Sequence, residues 1–183
     1  MKKGFTLLEL LIVIGILAIL ATAATIVLNP AELLRQARDT QRIADLDAVK
    51  AAISLYLTDV TSPDLGNVLN CYVNIVGVVF NCDGRHAGKT TTYIASRAVD
   101  GTGWVPVNLN SVSTGAPLAV YPIDPRNTFV WYYSYANTAT TFELNADLEA
   151  AKYVQGGTND KEDTDGGDIN HVYEVGTELD IVL

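Results

Sequence analysis

After Met1 the chain reads Lys2-Lys3-Gly4-Phe5-Thr6-Leu7-Leu8-Glu9, and an aliphatic segment follows without a break to Leu28. The 24 residues from Phe5 to Leu28 contain one charged side chain, Glu9. As an α-helix at about 1.5 Å per residue they extend roughly 36 Å, enough to cross a bilayer core of about 30 Å. The two lysines favour a cytoplasmic location for that end. The sequence therefore predicts one membrane-spanning helix over residues 5–28, with the rest of the chain outside the cytoplasm.

Glu9 distinguishes this segment from an ordinary secretory signal. Such a signal carries about 7 to 15 apolar residues before a small-residue cleavage site, whereas this segment is longer and contains an acid. A carboxylate inside a membrane helix costs about 3 kcal/mol unless a partner neutralises it. Glu9 is therefore predicted to serve a function that needs a cationic partner. The alternative is a plain signal anchor in which the acid has no role.

The basic leader, the Gly-Phe junction and the acid at Glu9 together resemble the type IV prepilin signature G-F-T-L-x-E. The resemblance implies that residues 1–4 are a leader peptide and that a prepilin peptidase cuts between Gly4 and Phe5. It also implies that Phe5 becomes the N-methylated first residue of the mature chain. Glu9 would then neutralise the new N-terminal ammonium group of a neighbouring subunit during assembly.

Residues 29–59 are predicted to form the amphipathic second half of the helix. Asn29-Pro30-Ala31-Glu32 is typical of a helix start, with an asparagine cap, a proline in the first turn and an acid three residues after the cap. The helix either restarts or kinks there. Oppositely charged residues recur at helical spacing and mark the expected solvated face. These pairs are Glu32 with Arg35, Arg35 with Asp39, Asp39 with Arg42, and Asp47 with Lys50.

Two apolar stripes run along this second half at helical spacing. The bulky stripe contains Ile43, Leu46, Val49, Ile53 and Tyr56, and the small stripe contains Ala37, Ala44, Ala48, Ala52 and Leu55. The bulky stripe suits packing on a sheet. The small stripe either admits another helix or also faces the core of the domain. Helix breakers follow Asp59 and predict the end of the helix near that residue.

Residues 60–183 are predicted to form a globular domain rich in β-strands. Strands are expected over 71–82 as a hairpin, and over 91–95, 129–135, 142–150, 172–175 and 179–183. Apolar and polar residues alternate over 142–150, which predicts a hairpin arm with one dry face. Trp104 is expected in the core. One long helix followed by short strands predicts an α+β fold in which the helix packs on a small antiparallel sheet, an arrangement similar to that of pilins.

Cys71 and Cys82 lie in the part of the chain predicted to be outside the cytoplasm. Oxidation is permitted there, so a disulfide that closes a loop of about a dozen residues is expected, worth roughly 2 to 3 kcal/mol. The alternative is a pair of small unpaired hydrophobic residues. Two cysteines and two histidines do not supply a zinc framework at this spacing.

Composition narrows the classes of function. The 183-residue chain has a net charge of −9, and an acidic surface argues against strong nucleic-acid binding, which depends on Lys and Arg contacts to phosphates. His86 and His171 are isolated in the sequence, and it contains no nucleophile elbow, phosphate loop or metalloprotease motif. The sequence therefore predicts a protein that is not an enzyme and requires no cofactor.

Acidic residues concentrate near the C-terminus, where residues 143–183 contain eleven Asp or Glu residues and two lysines. The polar loop 155–170 places several carboxylates among glycines, and such oxygen ligands suit Ca²⁺, although the spacing is not that of an EF-hand. The candidate ligands are Asp160, Asp163, Asp165 and Asp168. The resemblance to major pseudopilins, which hold calcium near their C-terminal loop, supports the same interpretation. The alternative is a solvated loop without a metal ion.

The segment Tyr121-Pro122-Ile123-Asp124-Pro125 and the aromatic residues after it also resemble major pseudopilins, at lower specificity. In those proteins the Asp-Pro pair is usually continued by Trp-Gly, whereas Arg126 and Asn127 follow here. This departure leaves open whether the chain is a surface pilin or a secretion pseudopilin.

Taken together, the resemblance implies a structural subunit of a type IV pilus-like filament. Its implied partners are the chain itself in a homopolymer or mixed filament, a prepilin peptidase, and pilus or secretion assembly machinery. The subunit would be a single-pass protein of the cytoplasmic membrane before assembly and part of an extracellular filament afterwards. Two alternatives stay open: a pseudopilin of a type II secretion or DNA-uptake system, and a monomeric membrane-anchored binding domain outside the cytoplasm.

Overall fold

The fold consists of two helices followed by a five-stranded sheet. It is taken from a computed structural model that describes residues 4–75 and 81–181. Helix α1 spans Leu7–Leu28 and helix α2 spans Pro30–Asp59. The strands are β1 Asn70–Val73, β2 Thr90–Tyr93, β3 Tyr133–Asn137, β4 Phe142–Ala146 and β5 Tyr173–Gly176, and short 3-10 helices lie at Asn81–Gly84 and Leu109–Ser111. This is the predicted α+β class.

Asn29 separates α1 from α2. Its backbone is left-handed, with φ of 39°, and its side chain accepts a hydrogen bond from the backbone N–H of Glu32 at 3.4 Å. Pro30 occupies the first turn of α2, where the missing N–H removes no bond of the helix. Of the two alternatives expected at Asn29, a restart or a kink, the chain shows a restart, and the predicted end near Asp59 is confirmed.

The strands are ordered β2-β1-β3-β4-β5 across the sheet. β1 runs antiparallel to β3, β3 to β4, and β4 to β5, whereas β1 and β2 are parallel. The sheet is therefore mostly antiparallel rather than wholly so. A tight hairpin turn cannot join parallel strands, and residues 74–89 form the connection between β1 and β2.

The predicted hairpin over 71–82 is wrong at its C-terminal end. Cys71 lies in β1, but Cys82 lies in the 3-10 helix Asn81–Gly84. The centre of that hairpin, residues 76–80, lies outside the described residues. β1 pairs with β2 and β3 instead. A disulfide bond joins Cys71 to Cys82 and fastens the 3-10 helix to the sheet.

The main core lies between α2 and one face of the sheet. Leu46, Val49, Ile53 and Tyr56 of the bulky stripe are buried there, and so is Trp104, as predicted. The small stripe does not share this position: Ala37, Ala44, Ala48 and Leu55 are exposed, and Ala52 is buried. The bulky stripe therefore packs α2 on the domain.

Two predicted strand boundaries and one predicted strand need correction. β3 begins at Tyr133 rather than at residue 129, and Phe129 is 70% exposed. β4 ends at Ala146, because the backbone N–H groups of residues 148–150 are bound by the carboxylates of Glu162 and Asp39 instead of a neighbouring strand. Residues 179–181 form no strand, and residues 182–183 lie outside the described residues.

The second face of the sheet is buried too, which corrects the expectation of one dry face. The polar residues of β4 point away from α2, yet Glu143 is only 1% exposed and Asn145 is fully buried. Residues after the disulfide and the segment near Ile181 cover this outer face. A small second core lies there, formed by Cys71, Val73, Ile75, Cys82, Tyr132, Ala136 and Ile181.

Candidate functional site

The start of α1 is closed by a reciprocal pair of side chains, Thr6 and Glu9. The hydroxyl oxygen of Thr6 accepts the backbone N–H of Glu9 at 3.2 Å, and the Oε2 atom of Glu9 accepts the backbone N–H of Thr6 at 3.0 Å. The Thr6 hydroxyl also donates to Oε2 at 2.9 Å. This is a capping box. It turns the Glu9 carboxylate back toward Phe5, the residue before the cap.

The Gly4-Phe5 bond lies ahead of the helix on exposed chain. Both residues are exposed, Phe5 by 81%. A Cβ atom added to Gly4 would have no heavy atom within 4 Å, so no described residue of the subunit requires glycine there. Among the described residues, no Lys, Arg or His lies within ion-pairing distance of Glu9. The Gly4-Phe5 junction is thus exposed, and no described residue supplies a cation to Glu9.

Helix α1 leaves its apolar surface uncovered. The stretch Leu7–Thr25 has a mean hydropathy of 2.6 and is 0% buried. It is the one helix in the described part of the chain that is long and apolar enough to cross a membrane. Since a surface of this kind is unfavourable in water, α1 needs lipid or another protein around it.

A buried ion network ties α2 to the domain. The guanidinium of Arg42, which is fully buried, lies 2.6 Å from Asp39, 2.6 Å from Asp124 and 2.7 Å from Glu149. The prediction that Asp39 and Arg42 lie on the solvated face is wrong, because acids distant in sequence meet them. No local pattern distinguishes this pair from the exposed pair Glu32 and Arg35, so the sequence held no signal for it.

Electrostatics in this network favour the charged forms. Burial opposes ionisation of Glu149, but hydrogen bonds from Arg38 and Arg42 outweigh it and lower the pKa of Glu149 to about 2. Asp39 accepts the backbone N–H of Glu149 at 2.9 Å and that of Ala150 at 2.7 Å. The network therefore holds the segment after β4 against α2.

Four polar residues form a second buried group, which we call the outer-face cluster: His86, Glu143, Asn145 and Glu174. His86 Nδ1 lies 3.6 Å from Glu143 Oε1, and its Nε2 lies 3.2 Å from the Ser134 hydroxyl. Burial lowers the pKa of His86 to about 3 and raises those of Glu143 to about 6 and Glu174 to about 9. Sequence reasoning missed this cluster because residues 81–89 cover a face that alternation assigned to solvent.

The predicted calcium ligands share one loop but do not converge. The Asp160 carboxylate accepts three backbone N–H groups of its own loop, and that of Asp165 accepts two from residues 167 and 174. Asp163 and Asp168 are exposed. Over residues 4–75 and 81–181 no group of three or more His, Cys, Asp or Glu side chains is arranged to hold a metal ion by itself. Calcium in this loop remains a prediction.

Residues 1–25 match a family model described as the prokaryotic N-terminal methylation motif. The match covers the leader, the Gly4-Phe5 junction, Glu9 and most of α1. The chain carries a prepilin-type N-terminal motif. No curated protein and no solved structure gave a match.

This motif places the candidate site in the first turn of α1. It indicates processing by a prepilin peptidase and a connection to pilus-type machinery, and it indicates a structural subunit rather than an enzyme. With the apolar helix behind it, the prepilin-type motif also indicates anchoring in a membrane.

Proposed function

We propose that this protein is a structural subunit of a type IV pilus-like filament. In this proposal α1 holds the subunit in the cytoplasmic membrane with the domain outside. A prepilin peptidase removes residues 1–4, and Phe5 becomes the N-methylated first residue. The observation that carries the proposal is an uncovered apolar helix with one acid, placed directly behind a methylation motif.

Cohesion of the filament comes from burying α1 helices against one another. Burial of apolar surface stabilises by roughly 25 cal/mol per Å², and α1 is apolar on every side. Apolar contact alone does not specify the axial position of one helix beside another. The length and hydrophobicity of α1 therefore drive association of the subunits, and a polar group is needed to set their axial register.

Glu9 supplies that register. Its carboxylate already points toward the N-terminal end of α1 and, among the described residues, is bound there by Thr6 alone. Inside a helix bundle an unpaired carboxylate is costly, and removing one member of a buried ion pair typically costs about 3 to 5 kcal/mol. An incoming subunit is therefore stable at the axial position where the ammonium group of Phe5 meets Glu9 of its neighbour.

The domain decorates the filament and stays in a defined position on α2. Arg42 and its three acids anchor it beside the helix that continues from the membrane segment. The same N-terminal chemistry serves a secretion or DNA-uptake pseudopilin. Electron microscopy for long surface filaments distinguishes the two, since a short periplasmic assembly yields none.

Mass spectrometry of the mature N-terminus tests the proposal. The expected mature chain begins at Phe5 with one added methyl group. Gly4→Val is expected to block cleavage and to leave the fold intact, because the site has open space in this subunit. A wild-type chain that retains Met1, or is cut anywhere except before Phe5, overturns the proposal and leaves a membrane-anchored monomer.

A further inference from the structure

The outer-face cluster contains buried polar atoms that the described part of the chain does not satisfy. His86 and Asn145 are 0% exposed, and Glu143 and Glu174 are 1% exposed. Five atoms have no hydrogen-bond partner of good geometry among the described residues: Nδ1 of His86, Oε1 of Glu143, both amide atoms of Asn145, and Oε1 of Glu174. Each buried unsatisfied polar group costs about 1 to 3 kcal/mol. Their concentration at one place points to a bound ligand.

The strand register brings the oxygen atoms of this cluster together. Asn145 lies opposite Glu174, and Glu143 lies opposite Gly176 two positions away. Side chains on one face at directly opposite and diagonal positions are within reach of each other. Glu143 and Glu174 are therefore diagonal neighbours on the same face of the sheet.

Each carboxylate is fixed through one oxygen and free at the other. Oε2 of Glu143 accepts the backbone N–H of Ile181 at 2.8 Å, and Oε2 of Glu174 accepts that of Ile169 at 3.0 Å. The Oε1 atoms are left without a partner. Gly167 lies against the Glu174 carboxylate, and a Cβ atom there would collide with it. The close approach of the loop therefore fixes the position of the Glu174 carboxylate.

Negative charge at the cluster exceeds the positive charge described around it. Arg85 is paired with Asp147, and the ammonium of Lys89 donates to two backbone carbonyl groups, with only a longer-range attraction to Glu143. His86 Nδ1 lies 3.6 Å from Glu143 Oε1, too far for a strong hydrogen bond. Two adjacent buried carboxyl groups in this setting require either a proton or a cation.

We propose that the outer-face cluster binds one hard divalent cation, with Glu143, Asn145 and Glu174 as its oxygen ligands. Ca²⁺ accepts carboxylate and amide oxygens together with water, so two acids and one amide suffice as protein ligands. These residues lie on two paired strands of the sheet. The site is thus distinct from the loop ligands expected from the sequence, and it does not depend on filament assembly.

Calorimetry with Ca²⁺ tests this assignment on the full-length protein in detergent, after dialysis against a chelator. Glu174→Gln and Glu143→Gln keep the shape of each side chain and imitate its protonated form, so both variants are expected to fold. The matched control is Asp163→Asn with Asp168→Asn, which removes two exposed acids of the nearby loop. Melting temperature with and without Ca²⁺ provides a second readout.

The expected result is Ca²⁺ binding by the wild type and the loop control, with affinity reduced at least about tenfold in each Glu→Gln variant. Ca²⁺ should raise the melting temperature of the first two proteins only. A wild type that binds no Ca²⁺ overturns the proposal and leaves a shared proton as the neutralising group. Undiminished binding by Glu174→Gln, or lost binding in the loop control, also overturns it.

Discussion

Helix α1 and the domain that follows it differ in how far their side chains are buried. Over Leu7–Thr25 no residue of α1 is buried. In the domain even charged groups are buried, and Arg42 and its acids satisfy one another. The Arg42 network is therefore satisfied within the subunit, whereas no described residue covers the apolar surface of α1.

This difference separates assembly from folding within one chain. Changes in α1 should affect polymerisation and leave the domain folded. Changes in the ion network should affect the stability of the domain and leave membrane insertion unchanged. Glu9→Ala tests the first expectation, and Arg42→Met tests the second.

The largest effect is expected for Glu9→Ala. This substitution removes the only carboxylate of α1, so incoming subunits lose the partner for their N-terminal ammonium group. Membrane insertion and leader cleavage should be intact, and the yield of sheared filaments should fall to background.

Thr22→Ala is the matched control for Glu9→Ala. Thr22 is an exposed polar residue of the same helix, and its hydroxyl donates only to the backbone carbonyl of Ala18 at 2.9 Å. Filament yield should stay at the wild-type level in this variant. Normal filaments from Glu9→Ala, or their loss in both variants, would contradict a specific role for Glu9.

On the domain side, Arg42→Met should give the largest loss of stability. It leaves the carboxylates of Asp39, Asp124 and Glu149 without their central cation, which typically costs about 3 to 5 kcal/mol. Chemical denaturation of the detergent-solubilised protein measures the change. Arg35→Met is the control, because Arg35 pairs only with Glu32 on the surface and should contribute less than about 1 kcal/mol.

The contrast between the two regions also explains what the sequence could predict. The site in α1 is contiguous, so composition and spacing at Gly4, Phe5 and Glu9 revealed it directly. The bulky stripe of α2 was equally predictable from the sequence, because the periodicity of apolar residues shows which helix face is buried. Asp39 with Arg42 resembled any exposed ion pair, since their burial depends on residues about 80 to 110 positions away.

Long-range contacts account for the other errors as well. The alternation in β4 was predicted correctly, but Glu143 is buried because His86 and Ile181 lie against it. The predicted strand over 142–150 is too long because side chains of Asp39 and Glu162 bind its last N–H groups. Asp39 and Glu162 both lie outside the segment 142–150, so local alternation does not predict these hydrogen bonds.

Acid should destabilise the domain through Glu149. The pKa of this carboxyl group is about 2 in the fold and 4.5 in its reference state. Its ionised form therefore stabilises the fold above about pH 4.5, and this contribution, on the order of 3 kcal/mol, is lost as pH falls toward about 2. Melting curves across this range should fall more steeply for wild type than for Glu149→Gln. Parallel curves would contradict the assignment.

Removing the disulfide should have the smallest effect. Cys71→Ser with Cys82→Ser frees a bridge that spans 11 positions in sequence and is expected to cost about 2 to 3 kcal/mol. The melting temperature should fall, and a reductant should no longer change it. An unchanged melting temperature would show that the bridge does not stabilise the domain.

The most direct test compares the accessibility of α1 before and after assembly. Val27, near the end of α1, is 82% exposed in the subunit, and both native cysteines are buried in their disulfide. Val27→Cys is labelled with a maleimide in detergent-solubilised subunits and in sheared filaments, with Thr114→Cys on an exposed part of the domain as control. Strong protection of Val27→Cys in filaments alone is predicted, with Thr114→Cys labelled in both; equal labelling of Val27→Cys in subunits and filaments would contradict the account.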